Sequence, residues 1–175
     1  MLQAGHSLSR HDMRCLPPDG YARQVGIMIT AVPFRSSDFI VMKEKNALSL
    51  YGNYANEESL FALEDNPYST TLIDENKEVI AIGGAIEVWE NRAHLWFIID
   101  PNAKQQFFKI HNAVNRYIAA LPFRRVEAIV EVDFVQGNRW MPLLKFEREG
   151  LLRRYGIDGK DMIMYSRIKP DVRET

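Results

Sequence analysis

The sequence contains a single cysteine, Cys15, and has no excess of charge of either sign. One cysteine can form no disulfide within the chain and cannot build a cysteine-ligated metal site. The 22 Lys and Arg residues nearly balance the 23 Asp and Glu residues, so the net charge is −1. The absence of a basic excess argues against nucleic acid as a partner, and the absence of an acidic tail argues against a basic partner. The histidines show no metal-ligand spacing, so we expect no bound metal. They are His6, His11, His94 and His111.

Long apolar runs are also missing. No stretch approaches the ~20 apolar residues that cross a bilayer, so we expect no membrane partner. Residues 1–20 lack the apolar segment of a secretory signal. Together these absences predict a cytoplasmic protein in a reducing compartment.

The residues that are present suit one globular domain with a proper core. The chain has 175 residues, of which 46% are hydrophobic and 26% charged. Residues 1–27 are polar, contain a Pro-Pro pair and show no sustained period, so we interpret them as an extension that is flexible or docked on a partner. Residues 28–170 are predicted to form the domain, and residues 171–175 a tail.

The first half of the domain predicts a strand, two helices and a three-stranded meander. Ser36, Ser37 or Asp38 can cap the first helix, and Asn56 and Pro67 can begin and end the second. The apolar positions of the first helix are Phe39, Met42 and Leu48.

Three runs rich in apolar residues between residues 69 and 99, separated by "DENK" and "ENR", form the meander. Gly83 and Gly84 in its middle strand indicate a bulge or a close approach of two backbones; an ordinary packed strand crossing is the alternative.

The second half predicts a helix, a strand, a short helix and a hairpin. Apolar residues recur at spacings of three and four from about Asn102 to Leu121. The strand "RRVEAIVEVD" follows, then a short helix with Pro142 in its first turn or at a kink, then a hairpin around Asp158-Gly159. The result is an α/β (α+β) domain: a mixed sheet of about seven strands flanked by about four helices, with a crossover between the fourth and fifth strands.

This order, combined with particular residues, resembles the GNAT superfamily of acyl-CoA-dependent N-acyltransferases. The resemblance extends from about Met28 to Ile168 and includes the opening "ITAVPFRSSDF". Its C-terminal half carries an ordered set typical of the family: Asn138, Phe146, Glu149, Gly150, Tyr155, Gly159 and Tyr165. The chain also resembles, more weakly, the GNAT-like internal virion proteins of short-tailed phages, which would place it in a host cytoplasm or a virion.

The resemblance implies an acyl-CoA site between the fourth and fifth strands. It implies backbone contacts to the acyl arm from Ile98 and Ile99, and pyrophosphate bound at the start of the following helix. The residues implied there are Lys104, Gln105, Gln106 and, on the next helix, Asn138. In the family, alternating glycines in this pyrophosphate-binding segment allow the backbone to approach the ligand closely. This sequence has Gln105, Phe107 and Lys109 at those positions instead.

Acyl transfer to an amine needs a base and an acid. The resemblance places the acid at Met141, which has no proton to donate, so Tyr155 or Tyr165 is the substitute. His94, Glu131 and Asp133 are candidate bases, and we select Asp133, Tyr155 and His94 as the catalytic set. A simpler interpretation makes Glu127, Glu131 and Asp133 one solvated strand edge. His111 is interpreted as a core histidine. The tryptophans, which line either a substrate groove or the core, are Trp89, Trp96 and Trp140.

Two functions follow as hypotheses. The first is N-acetyl transfer from acetyl-CoA to an amine on a small molecule or protein. The second is a catalytically inactive GNAT-like protein with a structural virion role or a role in binding a phage or host protein through residues 1–27. A homodimer is possible under either hypothesis.

Overall fold

The computed structural model describes residues 29–45, 47 and 57–170. Its strands are β1 (Thr30–Pro33), β2 (Ser69–Ile73), β3 (Val79–Trp89), β4 (Arg92–Ile99), β5 (Arg125–Glu131), β6 (Glu147–Leu152) and β7 (Met162–Ile168). Its helices are α1 (Ser36–Glu44), α2 (Glu57–Asp65), α3 (Phe107–Ala120) and α4 (Val135–Leu143). A 3₁₀ helix, Pro101–Gln106, connects β4 to α3, and we call it the junction turn. The predicted order of elements and the mixed α/β class are confirmed.

All seven strands form one sheet in the order β1-β2-β3-β4-β5-β7-β6. Every neighbouring pair is antiparallel except β4 and β5, which run parallel because α3 carries the chain back across the sheet. The predicted crossover is therefore the single parallel pairing of the described sheet.

The sheet has a hydrophobic cluster on each face. On one face, which we call the α3 face, Ile110, Val114 and Ile118 recur every four residues and pack against the strands together with residues of α4. On the other, which we call the α1 face, Phe39 and Met42 of α1 pack on β3 and β4. Of the helices within the described part of the chain, none is long and apolar enough to span a membrane.

Three local predictions are wrong. The N-cap of α1 is Arg35, while Asp38 lies at N3 and accepts a hydrogen bond from the Arg35 backbone N–H at 3.0 Å. The first-turn position predicted for Pro142 is wrong, because Pro142 lies in the last turn of α4, where its missing N–H removes one bond late in the helix. The helix after β4 begins as the junction turn, and α3 itself starts only at Phe107.

Some predictions fall outside the residues that the structure describes. They are the extension over residues 1–27, the tail over residues 171–175, and the positions of Leu48 and Asn56. The buried positions predicted for α1, Phe39 and Met42, are confirmed.

Gly83 and Gly84 mark a close approach of backbones, not a bulge. Both pair regularly with β2 and β4, and the register shifts of β3 lie elsewhere. A Cβ on Gly83 would come within 2.1 Å of the Phe97 ring and 2.6 Å of the Trp96 carbonyl oxygen, and one on Gly84 would meet the Tyr68 carbonyl oxygen at 2.7 Å. The two glycines let neighbouring groups of β4 and β2 pack directly on β3.

Gly83→Ala is expected to lower the free energy of unfolding by about 1–3 kcal/mol, because the added methyl group must displace Phe97 and the β4 backbone. Gly150→Ala is the matched control, since a Cβ there meets no atom within 4 Å. Urea denaturation of both variants measures the difference. Equal stabilities would show that the close approach at Gly83 is not a constraint.

Candidate functional site

A gap opens between β4 and β5. The two strands pair only at Arg92–Arg125, Ala93–Val126 and His94–Glu127. Beyond this point β4 continues to Ile99 and β5 to Glu131 with no register between them. The main chain of residues 95–99 is bonded to β3 on one side and has no strand partner in β5 on the other. We call this opening the β4–β5 gap, and its closed end the vertex.

The junction turn closes the wide end of the gap next to β4. Asp100 caps this turn by accepting a hydrogen bond from the Asn102 backbone N–H at 2.7 Å. Its buried carboxylate also pairs with Lys45 at 3.1 Å, so its charge is neutralised there. The N–H groups of Ala103 and Phe107 donate to the carbonyls of Asp100 and Lys104. A 3₁₀ turn thus occupies the place of a glycine-rich loop, and part of its N–H set is already used internally.

The candidate phosphate residues differ in exposure. Lys104 and Gln105 are exposed on the junction turn. The Gln106 side chain is half-buried, and its buried Oε1 has no hydrogen-bond partner. The junction turn therefore presents one cationic side chain, Lys104, to solvent.

On the α3 face, Trp140 connects α4 to α3. Its indole Nε1–H donates to Nδ1 of His111 at 3.1 Å, and its ring centroid lies 5.6 Å from that of Phe107. His111 therefore has the satisfied structural role predicted for it. Met141, the next residue of α4, is buried in the same cluster and contributes no ionisable group.

Asn138 holds the turn between β5 and α4. Its amide nitrogen donates to the carbonyls of Glu131, Val132 and Phe134 at 2.8–3.0 Å. Its carbonyl oxygen accepts from the Tyr165 hydroxyl at 3.0 Å. These bonds occupy both ends of the amide, which gives Asn138 a structural role at the β5 side of the gap.

The vertex is built around a buried carboxylate on the α1 face. Glu127 is 2% exposed and forms hydrogen-bonded ion pairs with Arg92 at 2.6 and 2.8 Å and with Arg125 at 2.5 Å. Arg125 also reaches Glu149 on β6 at 3.0 Å, and Glu149 accepts from Ser166 on β7. Burial by itself would raise the pKa of Glu127, but the two guanidiniums outweigh it and lower that pKa. This network joins β4, β5, β6 and β7 where the gap closes.

His94 is the residue of β4 that pairs with Glu127 at the vertex. It is half-buried on the α1 face, and burial is the main cause that lowers its pKa below the ordinary 6.5. Two weaker effects act on the pKa of His94: the Glu127 carboxylate raises it, and the Arg92 guanidinium lowers it. The imidazole is therefore neutral at physiological pH and able to accept a proton.

The other two candidate catalytic residues lie apart from the vertex. Asp133 is exposed in the β5–α4 turn, and Tyr155 is exposed between β6 and β7. Tyr165, the alternative phenol, is buried on β7 opposite Ala128, close to the vertex on the β5 side. The interpretation of Glu127, Glu131 and Asp133 as one solvated edge is wrong, because β5 is an interior strand and Glu127 is buried.

Sequence reasoning did not identify Arg92, Arg125 or Lys45 as site residues. Each pairs with a carboxylate that is distant in the sequence. Arg92 pairs with Glu127, 35 residues away, Arg125 with Glu149, 24 residues away, and Lys45 with Asp100. The sequence did contain one signal for the two arginines: Arg92 and Arg125 each begin a strand, and these two strands were predicted to be neighbours. Among the described residues, no cluster of His, Cys, Asp and Glu could hold a metal ion.

No family model and no curated protein matches the sequence. Solved structures do match the fold. Ard1 from Thermoplasma volcanium is 15% identical, with a TM-score of 0.68 over 82% of this chain and 99% of that chain. The chain has the GNAT fold.

Two further structures agree with this. The spermidine N-acetyltransferase SpeG from Vibrio cholerae, in a point-mutant form, is 19% identical, with a TM-score of 0.62 over 80% of this chain and 93% of that chain. A GNAT-family acetyltransferase from Bacillus anthracis is 13% identical, with a TM-score of 0.61 over 80% and 94%. SpeG and the Bacillus anthracis protein are named as acetyltransferases, and the phage and virion assignment stays a prediction.

Glu127→Gln is expected to lower the free energy of unfolding at neutral pH by about 3 kcal/mol, because two guanidiniums lose a shared buried counter-charge. A carboxyl whose folded pKa is depressed stabilises the protein above its unfolded pKa, here near 4.5, and loses that contribution as the pH falls through the lower folded pKa. The difference between wild type and variant should therefore shrink as the pH falls below 4.5.

Urea denaturation across this pH range measures the effect, and Glu147→Gln, at an exposed position on β6, is the control. A Glu127→Gln difference that stays constant down the acid range would contradict the assigned ion pairs.

Proposed function

We propose that the protein transfers an acyl group from acyl-CoA, with acetyl-CoA as the expected donor, to the nitrogen of a primary amine. The observation that carries this proposal is the β4–β5 gap, a parallel strand pair that separates after three residue pairs and leaves the main chain of residues 95–99 without a partner in β5. The acetyltransferase names of two structural neighbours, SpeG and the Bacillus anthracis protein, support the reaction class.

The residues present fit the donor at the gap. Ile99 offers its main-chain groups to the arm, because the hydrogen-bonded pairs of β4 with β3 alternate and the Asp100 N–H donates to the Ile80 carbonyl. The main-chain groups of Ile98 therefore point to β3, and its side chain faces the α1 cluster. At the wide end, Lys104 offers a cation, together with the N–H groups of the junction turn that are not used internally. Acetyl-CoA supplies an activated thioester.

In this proposal His94 acts as the general base. A nitrogen of its neutral imidazole takes the proton that the amine loses as the N–C bond forms and the C–S bond breaks. Glu127 is a poor base despite its position, because two arginines hold its carboxylate in the charged state. Met141 cannot protonate the departing thiolate, which therefore takes its proton from water.

His94→Gln is expected to lower kcat/KM by about 100-fold or more, because the base is lost while most of the side-chain volume is kept. In the wild type, kcat/KM should rise with pH through a midpoint below 6.5, since burial depresses the pKa of His94. Steady-state kinetics with acetyl-CoA across that range measures both effects. His111→Gln, a second histidine engaged only with Trp140, is the matched control. An unchanged rate in His94→Gln would remove His94 from the mechanism.

The second candidate function is a GNAT-like protein without catalysis that binds another protein. It is favoured by the junction turn, whose 3₁₀ hydrogen bonds and lack of glycine leave few free N–H groups for phosphate. A thermal-shift titration separates the two functions, because a ligand bound by the native state raises Tm. Acetyl-CoA at millimolar concentration that leaves Tm unchanged would favour the second function.

A further inference from the structure

The α1 face beside His94 carries exposed apolar side chains. Ile86 is the direct cross-strand partner of His94, so both side chains emerge on the same face, and Ile86 is 44% exposed. Trp89 pairs with Arg92 and is 60% exposed. Neither residue belongs to the two hydrophobic clusters. Ile86 and Trp89 are thus large, solvent-exposed apolar side chains beside the candidate base His94, and such a surface is suited to contact the apolar part of a ligand.

The Trp89 ring is held in place by Arg92. The guanidinium carbon lies 3.9 Å from the ring centroid, in cation–π geometry, while the same arginine is bonded to Glu127. The vertex network therefore orients an aromatic ring on the α1 face beside the vertex. One face of that ring is covered by Arg92, and the exposed remainder is available for an apolar contact.

Carboxylates on this part of the α1 face are already paired. β4 has no acidic residue, and the α1-face positions of β3 from Ile82 to Val88 have none either. The acidic residues of β5 on this face are Glu127 and Glu131. Glu127 is held by two arginines, and Glu131 pairs with Lys160 at 3.1 Å. A ligand with a second cation finds no free carboxylate on the α1-face positions of these three strands, since Glu87 of β3 lies on the opposite face.

We propose that the acceptor is a small primary amine carried on an apolar aryl or alkyl group, with no second positive charge. This inference rests on the proposed function for the role of His94. Ile86 and Trp89 contact the apolar group while the amine reaches His94. A polyamine such as spermidine, the substrate named for the SpeG neighbour, is disfavoured because its second ammonium group would be desolvated without a partner.

Calorimetric titration of the full-length protein with phenethylamine, spermidine and a short peptide beginning with leucine tests the acceptor class. Phenethylamine is expected to bind at least about tenfold more tightly than spermidine and than the peptide. Equal affinities, tighter binding of spermidine or of the peptide, or no binding of phenethylamine would each overturn the proposal.

Ile86→Glu places a free carboxylate beside His94 and should reverse the preference, with tighter spermidine and weaker phenethylamine binding. Leu151→Glu on β6, 48% exposed and away from the vertex, is the control and should leave the preference unchanged. If Ile86→Glu proves misfolded by circular dichroism, Ile86→Gln should still weaken phenethylamine. An unchanged phenethylamine affinity in a folded Ile86 variant would overturn the assigned contact.

Acetyl transfer to each amine, measured in parallel, reports on the proposed function separately. Binding of phenethylamine with no turnover of any amine would contradict the acyltransferase and leave the acceptor surface supported. Turnover of spermidine in preference to phenethylamine would support the acyltransferase and overturn the acceptor class.

Discussion

The buried carboxylate of Glu127 is the constraint on which the rest of the site depends. It receives two guanidiniums, one from the start of β4 and one from the start of β5, and so fixes the only stretch where these parallel strands are paired. Beyond it the strands separate and the gap opens. Because Arg92 also stacks on Trp89 and Arg125 also reaches Glu149, the same charge organises four strands and the exposed Trp89 ring beside the vertex.

The periodic elements of the fold could be predicted from the sequence. The spacing of Ile110, Val114 and Ile118 predicts one buried helix face, and the three runs between residues 69 and 99 predict the meander, because local hydrophobic patterns encode both. Helix boundaries were less predictable: Arg35 is a poor N-cap by residue type, yet Asp38 satisfies its backbone N–H instead.

The site was predicted only in part. His94 was identified as a candidate base, but the alternation of β5 made Glu127 look solvated. A pattern of alternating residues gives no information on whether a polar face meets water or a buried partner. The partners of Glu127 include an arginine 35 residues away, which only the parallel register of β4 and β5 brings into contact. The same holds for Lys45 and Asp100, which connect the end of α1 to the junction turn.

The GNAT fold is thus present with a gap between its parallel strands but with a 3₁₀ turn where a glycine-rich loop would be expected. Hydrogen–deuterium exchange with and without saturating acetyl-CoA shows whether this gap holds acyl-CoA, because ligand contacts slow the exchange of main-chain amides. If it does, residues 95–99 of β4 and the junction turn should be selectively protected, with β1 and β2 unchanged. Exchange in β4 and the junction turn that is identical with and without acetyl-CoA would contradict acyl-CoA binding in the gap.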